Sequence, residues 1–381
     1  MLGNMSFSSL PPVAVPPVRS SHRRALRWLV PAGAAGVVAL LASGVLSASA
    51  NTNLPPRSAA QLLAAVGNSK VAGFSGTVVE KASLGLPELP DLGGASSSGS
   101  ANVLGLLSGS HTVRVWYAGE NRQRIALLDK LGEQDLFRNG RQVWQWNSDT
   151  RTATHMTLPS GADVRTPDTL PSITPDEAAQ QALSLIEPST TVTTDRAAVV
   201  AGRAAYVLVL TPKDSRSRIS SVRISVDGKT MVPLGVQVYA KGSDRAAFDV
   251  AFTRFNDSVP SDDNFNWTPP PGASVKQAPA TKHVAAGLPA GKSLPAGSSM
   301  STIGSGWTTV VKVTGVPSLT ELGKAGNTAG LLVGVLPQVK GSWGTGRLFQ
   351  SSLVTALITT DGRAFVGAVD PVVLEQAAAA K

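Results

Sequence analysis

Short segments rich in β-branched and aromatic residues, separated by tight turn signals, fill the middle of the chain. Segments of this length and composition are typical of β-strands. Strands joined by turns as short as Asn139-Gly140 pair in antiparallel fashion. The sequence therefore predicts two antiparallel meanders. Their strands cover 74–84, 111–118, 122–128, 133–138 and 141–147 in the first, and 190–200, 204–211, 219–226, 230–240 and 245–255 in the second.

One turn of the second meander predicts a register. If Asp227-Gly228 is a two-residue turn, Val226 pairs with Lys229. From Pro233 onward the apolar positions are one residue out of phase with those before the turn. This slip predicts a bulge or bend at 233–235, which is what a sheet needs in order to curl.

Two helices accompany the strands. Ser58 and Gln61 have the spacing of a capping box and predict the start of the first helix. Thr174 as the cap and Pro175 at the first helical position predict a second helix, which extends to about Ile186. We expect these short helices to cover the sheet.

The composition changes at two places and divides the chain. Residues 85–109 combine Gly, Ser and Pro with several leucines, which is too apolar for a solvated hairpin loop. Residues 269–303 are rich in Pro, Ala, Gly and Lys, as in an extended linker. We therefore predict one domain over 51–268, a linker over 269–303 and a small α+β C-terminal domain over 304–381.

The first fifty residues predict export. They contain no Asp or Glu, and four arginines precede an apolar run from Trp28 to Ala48. Ala48-Ser49-Ala50 matches a signal-peptidase site, but a run of about 20 residues is also long enough to span a bilayer uncut. Cleavage and retention both stay open. We expect the protein on the extracytoplasmic face of the cytoplasmic membrane, either secreted or anchored by residues 28–50.

Charge and cysteine content exclude several classes of protein. The formal charge of +9 falls to +5 when the four leader arginines are subtracted, and no run of basic residues follows. Nucleic-acid binding is therefore not expected. The chain has no cysteine, so its folding depends on the core alone.

No set of residues suited to catalysis is recognisable. After the leader the histidines are His111, His155 and His283, so the sequence offers no zinc motif. No nucleophile elbow is present, and the adjacent Asp262 and Asp263 would point to opposite faces of an extended chain. We expect no catalytic residues, no metal and no cofactor.

Apolar side chains occupy both faces of the hairpin at Asn139-Gly140. Phe137, Trp144 and Trp146 fall on one face, whereas Leu136 and Val143 fall on the other. One interpretation is a core on one side and a packed helix or linker on the other. The alternative is an apolar concavity that binds a ligand. The ligand-lining candidates are Trp116, Phe137, Trp144, Trp146, Leu86, Leu89, Leu104 and Leu107.

An ordered set of segments resembles the LolA/RseB (MucB) superfamily of exported proteins. The segments are 72–78 (AGFSGTV), 113–117 (VRVWY), 122–125 (RQRI), 137–146 (FRNGRQVWQW), 200–213 (VAGRAAYVLVLTPK) and 265–273 (FNWTPPPGA). The resemblance covers about 54–275. It implies a mainly β fold with some α structure, in which a curved antiparallel half-barrel is covered by short helices. The long loop at 85–109 departs from the family pattern, and the C-terminal domain has a counterpart only in RseB-type members.

The resemblance implies binding instead of catalysis. The leading hypothesis is a non-enzymatic extracytoplasmic protein that holds a lipid, a lipoprotein acyl chain or a hydrophobic segment in the half-barrel. The alternative is an RseB-like regulator of envelope stress that acts on a membrane anti-sigma factor. Both hypotheses place the protein beside a membrane surface.

Overall fold

A computed structural model describes residues 54–69, 71–85, 109–128, 132–158, 188–278, 298–317, 319 and 333–380. These residues form a large curved open sheet of 12 strands, a second sheet of six strands, and few helices. The predicted fold class, mainly β with a curved antiparallel sheet and a small C-terminal α+β part, is confirmed.

The large sheet contains both predicted meanders. Strand β1 pairs with β2 of the first meander and with β11 of the second, so it joins the two halves. All pairs are antiparallel except that of β12 with β6. The order across the sheet is β12-β6-β5-β4-β3-β2-β1-β11-β10-β9-β8-β7. The strands are β1 Phe74–Ala82, β2 Gly109–Tyr117, β3 Arg122–Leu128, β4 Glu133–Asn139, β5 Gln142–Asn147, β6 Thr152–Thr157, β7 Thr190–Val200, β8 Arg203–Pro212, β9 Ile219–Asp227, β10 Pro233–Ala240, β11 Ala246–Asn256 and β12 Ser274–Gln277.

The first predicted helix is confirmed as α1, Ala59–Gly67. Both hydrogen bonds of the capping box are present between Ser58 and Gln61. Helix α1 buries Leu62 completely against β8, where Leu208 is also buried. The chain before the helix is fixed to the same strand, because the Tyr206 hydroxyl donates to the carbonyl oxygen of Pro55 over 2.8 Å.

The large sheet has two distinct faces, which we call the helix face and the outer face. Directly paired residues share a face, and so do alternate residues of one strand. The helix face carries Leu208, on which α1 packs, and register pairs extend it through Val236 and Val250. A buried core that includes Val78 and Phe252 continues this face.

The second sheet follows the order β13-β14-β18-β17-β16-β15. Helix α2, Pro371–Ala379, packs on it and buries Leu374 against Leu357 and Phe365. Trp343 lies in the same core, in the turn between β15 and β16. The strands are β13 Ser299–Ile303, β14 Val310–Thr314, β15 Gln338–Gly341, β16 Gly344–Gln350, β17 Thr355–Thr359 and β18 Arg363–Gly367.

Both ends of the range predicted as a linker, 269–303, lie in sheets. Strand β12 pairs with β6 of the large sheet, and β13 pairs with β14 of the second. Strand β12 is held by a strand that lies far earlier in the chain, a contact that local composition does not reveal, whereas β13 pairs with the strand that follows it. Residues 279–297 of this range lie outside the described residues.

The two sheets meet along a seam. Ser217 and Val369 form an antiparallel bridge, and the Lys241 ammonium group lies 3.1 Å from the Asp370 carboxylate. At another point the indole Nε1 of Trp307 donates to Oγ1 of Thr190 over 2.7 Å. Backbone bonds, an ion pair and an aromatic contact thus connect the second sheet to the first.

Several predictions fall outside the described residues. They are the leader at 1–50, the second helix at 174–186 and most of the loop at 85–109. Among the described residues, no helix is long and apolar enough to cross a membrane.

Candidate ligand-binding site

The four predicted aromatic candidates lie together on the outer face of the large sheet. Register pairs Phe137 with Trp144 and places Trp146 two residues along the same strand. Trp116 belongs to the same row, two strands away from Phe137. The predicted shared face of the first three is therefore confirmed. It is the face opposite to that on which α1 packs.

Trp267 covers this aromatic group. Its ring stacks on Phe137 with centroids 5.0 Å apart, and it lies 5.5 Å from Trp144 and 5.6 Å from Trp146. Phe137 is almost completely buried, whereas Trp144 and Trp146 are half-buried. The C-terminal segment of the large sheet thus occupies the space in front of these candidates.

Arg124 extends the stack of rings towards Trp116. Its guanidinium carbon lies 4.6 Å from the Trp116 ring centroid and 4.7 Å from that of Phe137. The same group forms an ion pair with Asp135 at 2.9 Å and approaches Glu133 at 3.5 Å. Cation–π contact and charge pairing together fix this side chain on the outer face.

The Asp135 carboxyl is the strongly perturbed group of this cluster. It is almost completely buried, and this desolvation raises its pKa to about 6. Arg124 opposes the increase, and the negative charge of Glu133 adds to it.

A second apolar surface lies on the helix face and was not among the predicted candidates. Register pairs Val113 with Leu127 and Ile125 with Leu136, and Met156 lies on the same face through its pair with Val143. These side chains are half-buried. We call this surface the apolar strip; its members are Val113, Ile125, Leu127, Leu136 and Met156.

The apolar strip is continuous with the core of the large sheet. Val113 pairs directly with Val78, which is completely buried. Glu80 lies two residues along β1 from Val78 and is therefore on the same face, next to His111 in the register. Burial raises the pKa of Glu80, and the charge of His111 opposes this increase. The strip thus has apolar side chains, with Gln134 and Gln145 paired beside Leu127 and Leu136, and one acidic group at its end.

The strip could have been found from the sequence. Strand alternation placed Leu136 on the face opposite to the aromatics, and the same rule places Ile125 and Leu127 beside it once the register is known. The predicted lining residues Leu86, Leu89, Leu104 and Leu107 lie outside the described residues.

The polar residues His155 and Asp262, which the sequence did not indicate as catalytic, contact other side chains of the large sheet and its C-terminal segment. Both ring nitrogens of His155 face amide oxygens, at 3.0 Å from Gln277 and 2.6 Å from Gln142, and its ring stacks on Trp144. Asp262 forms an ion pair with Arg122. Within the described part of the chain, no group of three or more His, Cys, Asp or Glu side chains could hold a metal ion.

Comparison with solved structures finds similar folds. The chain is similar to MucB in its complex with MucA from Pseudomonas aeruginosa, with 17% identity, a TM-score of 0.43, and coverage of 84% of this chain and 96% of that chain. It is also similar to a LolA superfamily protein from Nitrosomonas europaea, with 10% identity, a TM-score of 0.23, and coverage of 56% and 99%. An uncharacterized conserved protein from Thermus thermophilus gives 10% identity and a TM-score of 0.33, with coverage of 57% and 97%.

The solved structures of similar fold thus include MucB and a LolA superfamily protein, and both belong to the superfamily that the sequence resembles. No protein-family model matches the sequence, and no curated protein matches it either. The similarity concerns the fold alone.

Proposed function

We propose that this protein is a non-enzymatic extracytoplasmic binding protein that holds a lipid, a lipoprotein acyl chain or a hydrophobic segment on the helix face of its large sheet. The observation that carries the proposal is the apolar strip, in which Leu127 and Leu136 stay half-buried while the adjoining Val78 is completely buried. Aliphatic surface of this kind is the usual lining of sites for apolar ligands.

The chemistry of the strip favours an acyl chain over a polar ligand. Burying apolar surface stabilises a complex by about 25 cal/mol per Å² before the cost of association is subtracted. Glu80 supplies one polar group at the end of the strip, which suits a ligand with a single polar head. The aromatic group beneath Trp267 is a competing lining surface and stays a prediction.

Native mass spectrometry of the protein purified from the envelope of expressing cells tests the proposal. We expect a bound species with the mass of a lipid or acylated peptide. Leu127→Ser should remove it, because Leu127 belongs to the strip. The matched control is Leu128→Ser: Leu128 pairs with Thr112 on the outer face and is equally half-buried, so the bound species should persist.

Three outcomes would count against the proposal. Equal loss in the Leu127 and Leu128 variants would indicate general destabilisation. Loss on Trp144→Ala with retention in Leu127→Ser would assign the ligand to the aromatic group. Absence of any bound acyl species in the unsubstituted protein would reject the carrier function.

A second candidate function is regulation of a membrane anti-sigma factor, which the sequence resemblance implies. The observation that favours it is the seam, which keeps the second sheet beside the ligand-binding sheet through contacts such as Lys241 with Asp370. A carrier of acyl chains has no need of this second part. Affinity capture of envelope proteins with the full chain should recover a membrane anti-sigma factor, and its absence would count against regulation.

A further inference from the structure

Two arginines of the outer face stand out because they have no ionic partner among the described residues. Thr77 of β1 pairs with Arg114 on one side and with Arg254 on the other. The three residues therefore share a face, and the two arginine Cα atoms are about 10 Å apart, which is two strand spacings. Both arginines are exposed. Within the described residues, neither forms an ion pair.

Other arginines on this face are neutralised. Arg124 pairs with Asp135 at 2.9 Å, and Arg203 pairs with Asp227 at 2.7 Å. The fold thus places acidic partners beside some arginines, whereas the positive charges of Arg114 and Arg254 have no acidic partner among the described residues. An exposed pair of fixed charges without counterions attracts anions from solution.

The neighbours of these arginines fit a membrane interface. Trp116 lies two residues from Arg114 on the same face and is half-buried, with its ring held by Arg124. Lys81 is exposed on the same face of β1, opposite Asp249. Indole rings and long basic side chains are the groups that favour the headgroup region of a bilayer. We call Arg114, Arg254, Trp116 and Lys81 the basic surface.

The chain enters the fold at the end of the sheet that carries Arg254. A Cβ atom on Gly228 would lie 2.5 Å from a methyl carbon of Leu54, so the first described residue packs on the turn after β9. Lys229 of that turn forms an ion pair with Asp257, three residues after Arg254. The predicted apolar leader run ends six residues before Leu54, so at most about 20 Å of chain separates them.

We propose that the basic surface docks the large sheet onto anionic phospholipid headgroups of the membrane. The inference rests on the extracytoplasmic location in the proposed function and is independent of the ligand on the helix face. Docking through the outer face leaves the opposite face, with the apolar strip, free to exchange its ligand. The recognised chemistry is the phosphate group of an anionic lipid.

The absence of cysteine provides a direct test in the full chain. Thr112→Cys, two residues from Arg114 on the outer face, carries an environment-sensitive dye, and Ser342→Cys in the second sheet carries it as a control. Vesicles of phosphatidylglycerol with phosphatidylethanolamine should change the emission at 112 and not at 342. Vesicles of phosphatidylcholine alone should change neither. The response should be lost at high salt, because the attraction is screened.

Charge variants separate docking from general effects. Arg114→Gln with Arg254→Gln should reduce the docking equilibrium roughly 30-fold, since each arginine at an anionic surface contributes a factor of roughly five. Arg196→Gln with Arg245→Gln removes the same charge from exposed positions elsewhere and should leave docking unchanged. Replacing Arg114 and Arg254 by lysine should keep the docking.

The proposal would be overturned by equal responses to both vesicle types, or by an unchanged response in the Arg114 and Arg254 glutamine variant. A response to soluble poly-glutamate in preference to phosphatidylglycerol would assign the surface to an acidic protein segment instead. The lipid bound on the helix face is measured separately by native mass spectrometry, so failure of docking and failure of the proposed function give different results.

Discussion

The guanidinium group of Arg124 donates a hydrogen bond to Oδ1 of Asp135 over 2.9 Å, and this carboxyl is only 4% exposed. Burial raises the pKa of Asp135 to about 6 even though Arg124 stabilises its charged form. Desolvation therefore outweighs the ion pair at this site. The main effect of this buried ion pair is therefore to hold Arg124 between the rings of Trp116 and Phe137, and its contribution to the stability of the fold is smaller.

Asp135 should make the free energy of unfolding depend on pH. Its folded pKa of about 6 lies above the ordinary value of 3.8, so the native protein binds the proton more tightly than the unfolded chain. The stabilisation is fully present below about pH 4 and is lost as the pH rises through about 6. Urea unfolding at pH 4 and pH 7 should show a gain at low pH of about 1–3 kcal/mol relative to Asp135→Asn. An equal pH dependence in both proteins would contradict this prediction.

Gly76 should be intolerant of any side chain. It lies in β1, and a Cβ atom there would be 2.5 Å from a ring carbon of Phe252 and 2.5 Å from the carbonyl oxygen of Arg254. Both neighbours belong to β11, and Phe252 is buried in the core, so neither can move aside easily. Gly76→Ala should reduce the free energy of unfolding by about 1–3 kcal/mol, as measured in urea.

Gly67 provides the matched control for Gly76. It is the last residue of α1, and a Cβ atom there would meet no heavy atom within 4 Å. Gly67→Ala should leave the protein as stable or slightly more stable, because alanine favours the helix by up to about 1 kcal/mol. Similar destabilisation by the two substitutions would show that packing against Phe252 is not the cause.

Local patterns predicted most strands because alternation and turn residues lie within each hairpin. The predicted two-residue turn at Asp227-Gly228 was wrong for a nonlocal reason. The Asp227 carboxylate accepts hydrogen bonds from Arg203 and from the backbone and hydroxyl of Thr230. These bonds enlarge the turn, so Val226 pairs with Pro233 and β10 begins three residues later than expected. The predicted irregularity at 233–235 is confirmed.

The candidate site was predictable only as far as strand alternation reaches. Strand alternation correctly placed Phe137 and Trp144 on one face. Trp267, which packs on both rings, lies more than 120 residues later in the sequence. The strand β6 was missed because few of its residues are large and apolar, and β12 because all four of its residues are exposed. Strand β6 forms a local hairpin with β5, whereas β12 pairs with β6 across a long separation in sequence.

The capping box of α1 should contribute measurably to stability. The Ser58 hydroxyl accepts from the backbone N–H of Gln61, which has no partner inside the helix. Ser58→Ala should reduce the free energy of unfolding by about 1 kcal/mol, whereas Ser58→Asp should retain most of it. Thermal unfolding of the three proteins measures the order. Equal stability of the alanine and aspartate variants would exclude capping as the source.

Trp307 should couple unfolding of the two sheets. It precedes β14 of the second sheet, yet it packs against the buried cluster that contains Leu62 and Leu208 on the helix face of the first, and its Nε1 donates to Thr190. Trp307→Ala removes both contacts, and we expect a loss of about 2–3 kcal/mol together with two separated transitions in calorimetry. Trp307→Phe retains most of the ring and loses the hydrogen bond, so it should cost about 1 kcal/mol and preserve a single transition. Two separate unfolding transitions in both variants would assign the coupling to the hydrogen bond. A single transition in both would assign it to the bridge between Ser217 and Val369.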